Sequence, residues 1–267
     1  MWWRIGAVVI YFLSMAISFA SAEPVSEGSH PEGMVLIPDG EFTMGSTEES
    51  IHWAAKKFFS ESLDYYLEET PDRIVKLDAY YIDKYEITVA KYKKYLEKTG
   101  AAAPKFLDNE KYNQPKQPIV GVTWQDAVDY CQWTGKRLPT EAEWEKAARG
   151  VDSRKYPWGD APDPMKANIR GKKKDKFRYS APVGKFPEGQ SPYGVMDMSG
   201  NVWEWTQSWF LPYAGNQFKN GMYGETLRVI RGGSWFSNMD LARTTVRGKS
   251  LPNQQMNYVG FRCVKNL

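Results

Sequence analysis

Cysteine and histidine are scarce: the 267-residue chain holds two of each. Two histidines cannot build a histidine-rich metal centre, and His30 falls in a polar stretch; both His30 and His52 read as solvated side chains. Two cysteines, Cys131 and Cys263, rule out a disulfide-dense miniature scaffold, although an even number in an oxidising compartment permits one bridge. There is no large excess of either charge, with 35 basic against 32 acidic residues. That near-balance gives no electrostatic case for nucleic acid. No repeat of 20–50 residues appears, which argues against solenoids and propellers.

There is a single long apolar run, and it lies at the start. Arg4 supplies a small positive region, Ile5 to Phe19 is nearly all apolar, and Ala20-Ser21-Ala22 precedes polar Glu23-Pro24. This order predicts a signal peptide over 1–22, a linker over 23–32 and one domain over 33–267. The alternative is an uncleaved membrane anchor, since the run approaches spanning length. On either reading the body of the protein is exported, to the periplasm or beyond.

Aromatic residues are abundant: 11 Trp, 16 Tyr and 12 Phe. They suit a loop-rich core filled by flat side chains, or a binding surface. Regular elements look short. Met34–Ile37 reads as a strand ending at a Pro-Asp-Gly turn, with Glu41–Gly45 as a hairpin partner. Ser46–Leu67 reads as one helix, opened by a Ser46/Glu49 capping box, with a stripe through Ile51, Ala55, Phe58, Ser62 and Tyr66. Arg73–Asp83 is a second β region. Helices follow over Thr88–Lys98, Trp124–Thr134 (capped by Thr123) and from Pro139, where Thr140 and Glu143 form a capping box and Gly150 ends the element. Beyond Gly150 no helix is evident. So long an irregular stretch calls for staples, because loop backbone must still find hydrogen-bond partners.

Several segments, in order, carry a resemblance. They include Gly33–Gly45, Asp78–Thr88, Pro118–Trp124, Gly135–Glu145 (Gly-Lys-Arg-Leu-Pro-Thr-Glu-Ala-Glu-Trp-Glu), Tyr156–Asp160, Gly200–Trp205 (Gly-Asn-Val-Trp-Glu-Trp), Arg231–Trp235 (Arg-Gly-Gly-Ser-Trp) and Val259–Cys263 (Val-Gly-Phe-Arg-Cys). Together, over about residues 33–265, they resemble the formylglycine-generating enzyme and sulfatase-modifying-factor superfamily. The resemblance implies an α+β domain of the irregular, C-type-lectin-like kind, with short helices around a small twisted antiparallel sheet. It also implies a disulfide between Cys131 and Cys263.

What the resemblance implies about chemistry is mostly a loss. The family's oxidase holds copper with two cysteines just after the Arg-Gly-Gly-Ser motif, and thiolate pairs suit monovalent copper. Here those positions are Ser237 and Ala242. No catalytic residue and no copper are therefore expected, while Trp203, Ser234, Ser237 and Asn238 are expected to line the former substrate groove. Calcium is implied at two sets of oxygen donors: Asn168, Ile169, Asp175 and Phe177, and then Asp197, Gly200, Val202 and Glu204, with Ile169, Phe177, Gly200 and Val202 using backbone carbonyls. The function expected is binding of a protein or peptide partner in the cell envelope. A divergent enzyme of the superfamily, such as its siderophore-maturation branch, is the alternative, and a lectin-like carbohydrate module a weaker one. Glu204, Arg243, Arg247 and Asn257 read as a hydrogen-bonding network. The basic run Arg170 to Arg178, interrupted by Asp175, reads as a solvated loop, with an anionic glycan or membrane surface as the other possibility.

Overall fold

A computed structural model describes residues 31–171 and 177–267. The expected signal peptide and nearly all of the linker lie outside these residues. No described helix is long and apolar enough to cross a membrane.

Among the described residues, nine short strands form three small sheets. β1 (Met34–Ile37), β4 (Tyr80–Asp83) and β9 (Val264–Asn266) make the first, in the order β1-β4-β9 and all antiparallel. β2 (Gly40–Met44) pairs with β3 (Arg73–Leu77), Gly40 opposite Leu77 and Met44 opposite Arg73. The hairpin between 34–37 and 41–45 therefore does not form. The two segments serve different cores: Ile37 packs in a cluster with Trp144, whereas Phe42 and Met44 pack with Tyr213. The third sheet, β7-β6-β5-β8, comprises Gly248–Ser250, Arg228–Arg231, Trp203–Trp209 and Val259–Gly260. Its β5–β8 pair is parallel, so the sheets are not purely antiparallel.

The long first helix is broken in two. α1 spans Glu48–Phe58 and α2 Asp64–Leu67. Thr47, not Ser46, caps α1, its hydroxyl accepting the Ser50 N–H. Ser46 instead donates to Glu69. Phe59 ends α1 in the left-handed conformation, and its ring is 91% exposed. The continuous 3.6-residue stripe concealed this break because Ile51 and Ala55 before it and Tyr66 after it pack in one cluster. The other helices start where their caps place them: α3 (Val89–Thr99, closed by Gly100), α4 (Trp124–Trp133) and α5 (Glu141–Arg149). After Gly150 the only helical elements among the described residues are two 3-10 turns, Pro164–Lys166 and Pro187–Gly189.

α5 is the centre of the molecule. Its buried residues include Glu141, Glu143, Glu145, Lys146 and Arg149. Burial of charge is costly unless each group is paired and hydrogen-bonded. Here Glu141 meets Arg247, Glu143 meets Arg137, Glu145 meets Arg149 and Arg231, and the Lys146 ammonium donates to the carbonyls of Pro38 and Gly40. The Trp144 indole donates to Glu204 on β5. The main hydrophobic core lies on the other side of β5, where Tyr92, Tyr95, Tyr130, Trp205 and Phe261 surround the Cys131–Cys263 disulfide.

Candidate functional site

β6 ends at Arg231, and a double-glycine turn sends the chain into a tight loop over residues 234–242. Gly233 has φ 75°, and a Cβ there would come within 2.8 Å of the Leu241 carbonyl oxygen. Only glycine lets the two limbs of the loop approach so closely. The loop is tied to its surroundings through the main chain: Trp235 N–H donates to the Asn201 carbonyl and Arg170 N–H to the Ser237 carbonyl.

Ser234 and Ser237 face each other within this loop. Their hydroxyls lie 3.3 Å apart, and the Ser237 hydroxyl also accepts the Ser234 N–H. Both serines are buried. Ala242 has no exposed surface, and its methyl packs with Ala167 and Ile169 beside Trp158 and Met239. A hydroxyl that already serves a turn and a methyl in an apolar cluster do not fit a copper ion. Monovalent copper requires soft sulfur donors. Asn238 is exposed. Trp203, by contrast, sits in the main core with 8% of its surface exposed, and its ring is pressed against Gly248. A surface cleft of about 710 Å³ lies between Lys76, Arg137 and Leu267 and shares no residue with this loop.

Arg243, Arg247 and Glu204 each enter a buried ion pair. Arg243 binds Glu69 through both terminal nitrogens at 2.8 Å and reaches Asp240 through Nε at 3.0 Å. Tyr65 and Tyr66 both donate to the other Asp240 oxygen. Burial, together with the Asp240 carboxylate, pushes Tyr66 up to about 12. Burial would raise Glu69, but the Arg243 guanidinium outweighs it and leaves that carboxyl below the usual carboxylate range. Glu204 takes Arg262 in a two-pronged pair at 2.6 Å. Asn257 donates to the Tyr112 hydroxyl. Of these groups, Arg243, Tyr65 and Tyr66 reach the loop directly, at Asp240.

Of the calcium donors expected from sequence, Asn168 enters a polar chain. Asn168 donates to Asn201, whose amide in turn donates to Glu86. The Asn168 Oδ1 is buried and lacks a hydrogen-bond partner, while the Glu86 carboxyl lies within hydrogen-bonding reach of Asp197. Unpartnered buried oxygens are what a hard cation would satisfy. Asp197 accepts the Gly184 N–H at 2.6 Å. Burial pushes Asp197 up to about 6 and, with the Asp197 and Glu204 charges, holds Glu86 well above the ordinary range. Both Glu204 oxygens are already held by Arg262, so a cation there would share that carboxylate. Ile169 is buried and Phe177 half-buried beside Phe186; Asp175 lies outside the described residues. Among the described residues no three Asp, Glu, His or Cys side chains converge as a metal-holding group, so each set would depend on main-chain carbonyls. Sequence reading overlooked Glu86 and Asn201, which lie between the two donor sets. Glu86 precedes Ile-Thr at a helix entry, where a polar residue is unremarkable.

Residues 19–267 match the family model of the sulfatase-modifying factor enzyme 1-like domain. The chain belongs to this family. It is similar to the formylglycine-generating enzyme of Bos taurus, 31% identical over 300 residues that cover 90% of this chain and 76% of that protein. It is also similar to the inactive C-alpha-formylglycine-generating enzyme 2 of Mus musculus, 41% identical over 162 residues, covering 56% of this chain and 49% of that one. Among solved structures it resembles PvdO from Pseudomonas aeruginosa, with TM-score 0.70 and 27% identity over 88% of this chain and 94% of that one. For this member of the sulfatase-modifying factor family, the family fold and the Cys131–Cys263 disulfide are thus both present.

Proposed function

We propose that this chain is an exported, non-catalytic formylglycine-generating-enzyme-like domain that binds a protein or peptide partner through the loop of residues 234–242. One observation carries the reading. The two positions where the family's oxidase has cysteines hold a turn-forming Ser237 and a core-packed Ala242. Neither supplies a thiolate, and no change in surrounding residues can restore an absent ligand. The similarity to a relative named as inactive supports the same reading.

Incubation of the purified protein with copper, oxygen and a cysteine-bearing sulfatase-type peptide is expected to leave the peptide mass unchanged. Conversion of the cysteine thiol to an aldehyde, detected by mass spectrometry, would overturn the proposal. In the same protein, a photo-crosslinking residue in place of exposed Asn238 should capture a discrete protein from the cell envelope. A crosslinker in place of Phe59, which is exposed at the end of α1, should not.

We further propose that calcium stabilises the domain through Asp197 and Asn168, with Glu204 shared between the ion and Arg262. A ligand that binds only the folded state raises stability by about 2.7 kcal/mol at a hundredfold excess over its Kd. Adding calcium to chelator-treated protein should therefore raise Tm by several degrees, and Asp197→Ala should abolish most of the shift. An unchanged Tm, with no calcium found by elemental analysis, would remove the ion from this account.

A further inference from the structure

Five aromatic rings from three separate loops form one file. Phe106, Tyr112, Tyr179, Trp235 and Phe236 follow each other with centroids 5.2–5.7 Å apart and planes meeting at 62–78°. Such edge-to-face contacts are attractive beyond the area they bury. The file runs from a half-buried Phe106 to Phe236, which is 57% exposed. Because Phe236 lies between Ser234 and Ser237, the file ends on the loop described above.

Four cations lie over these rings. Lys105 sits 5.6 Å from Phe106, Lys111 and Arg178 sit 5.5 and 5.9 Å from Tyr179, and Arg170 sits 5.5 Å from Phe236. All four are exposed. None forms an ion pair with a carboxylate among the described residues, although Arg231, Arg243, Arg247 and Arg262 in the interior are each paired. The ring faces restrain the long cationic side chains and lower the entropy cost of using them. The result is a rigid strip, positive at its rim and apolar at one end, that leads up to the Ser234–Ser237 loop.

We infer that this strip recognises an extended acidic peptide segment, whose carboxylates pair with Lys111, Arg170 and Arg178 while an apolar side chain rests on Phe236. The inference rests on the partner-binding reading above and names the chemistry of the partner. Charge complementarity supplies the argument for acidity. The ring geometry argues against a glycan. Sugars stack on open ring faces, whereas here neighbouring rings and cations occupy the faces, and Phe236 alone is largely open.

Fluorescence anisotropy with three labelled peptides tests it: a Glu-Gly repeat, a Gln-Gly repeat and a Lys-Gly repeat of equal length. The acidic peptide should bind saturably, and its affinity should fall steeply between about 0.05 and 0.3 M salt as the Debye length shortens. The double variant Lys111→Glu/Arg170→Glu should weaken it by roughly tenfold or more. Lys111→Arg/Arg170→Lys should retain binding. Circular dichroism of both variants should be unchanged, since the replaced side chains are exposed. Equal binding of the glutamine peptide would overturn the acidic assignment and leave groove binding intact. Unchanged affinity in the charge-reversed variant would remove the strip as the site. Binding of polygalacturonate or anionic phospholipid vesicles without binding of the acidic peptide would overturn the inference in favour of another polyanion. If no peptide binds, the inference falls, and the crosslink at Asn238 still decides the partner-binding reading separately.

Discussion

Replacement of both Cys131 and Cys263 by alanine is expected to lower stability by about 2–5 kcal/mol. The bridge joins residues 132 apart in sequence, linking α4 to the entry of β9. In the chain-entropy account a loop of that length corresponds to about 5 kcal/mol, the upper end of what removal usually costs. Packing adds a second term. Both sulfurs are fully buried in the main core, beside Tyr130 and Phe261, so alanine leaves a cavity there as well. For a domain of this size the change amounts to roughly 10 °C in Tm. Thermal melts of the double variant, and of wild-type protein with and without reductant, measure it. A Tm within a degree or two of wild type would show that the noncovalent core alone sets the stability.

Arg243→Met should cost about as much. Breaking a buried pair from one side is expected to destabilise by about 3–5 kcal/mol, because the partner charge remains without compensation. Arg243 is only 2% exposed and answers two carboxylates, Glu69 and Asp240, so its removal leaves both. Arg243 joins Glu69, just beyond α2, to Asp240 of the 234–242 loop, so the loss should also loosen the candidate binding surface. Adding Glu69→Leu should recover part of the loss, since an apolar pair avoids desolvation altogether.

The pH dependence has a definite sign. In wild type the Glu69 carboxyl is held below the ordinary range by Arg243 in spite of its burial. Its contribution is present above the unfolded pKa of about 4.3 and is lost as pH falls through the lower folded value. In Arg243→Met the buried Glu69 carboxylate lacks its counter-charge, its folded pKa rises, and stability increases as it takes up a proton. The gap between variant and wild type should therefore narrow between pH 7 and pH 4. Urea midpoints across that range measure it, and a constant gap would show that lost packing, rather than lost charge, dominates.

The local rules carried far along this chain. Thr123 and Thr140 each accept an N–H at the helix starts that they are read to cap, Thr88 caps α3 instead of being its first residue, and Gly100 and Gly150 end two of these helices. Capping is decided within a few residues, so it is visible in sequence. The loss of thiolates at positions 237 and 242 is likewise a matter of residue identity alone. The ordered motifs were enough to imply the family, the fold and the disulfide pairing before any coordinate.

Other features depended on tertiary structure, because they rest on groups far apart in sequence. The single helix over 46–67 broke at Phe59 although its stripe was continuous, since one cluster can take both halves. β2 left its sequence neighbour β1 for β3, because Phe42 and Met44 had a different core to fill. The charged side chains of α5 look like a solvated face in sequence. The burial of Glu141 and Glu145 becomes tolerable when Arg231 and Arg247 arrive from more than 80 residues away. The aromatic file with its four cations, which pair with no described carboxylate, is of the same kind: each ring and each cation is ordinary in sequence, and only the convergence of three loops sets them in register.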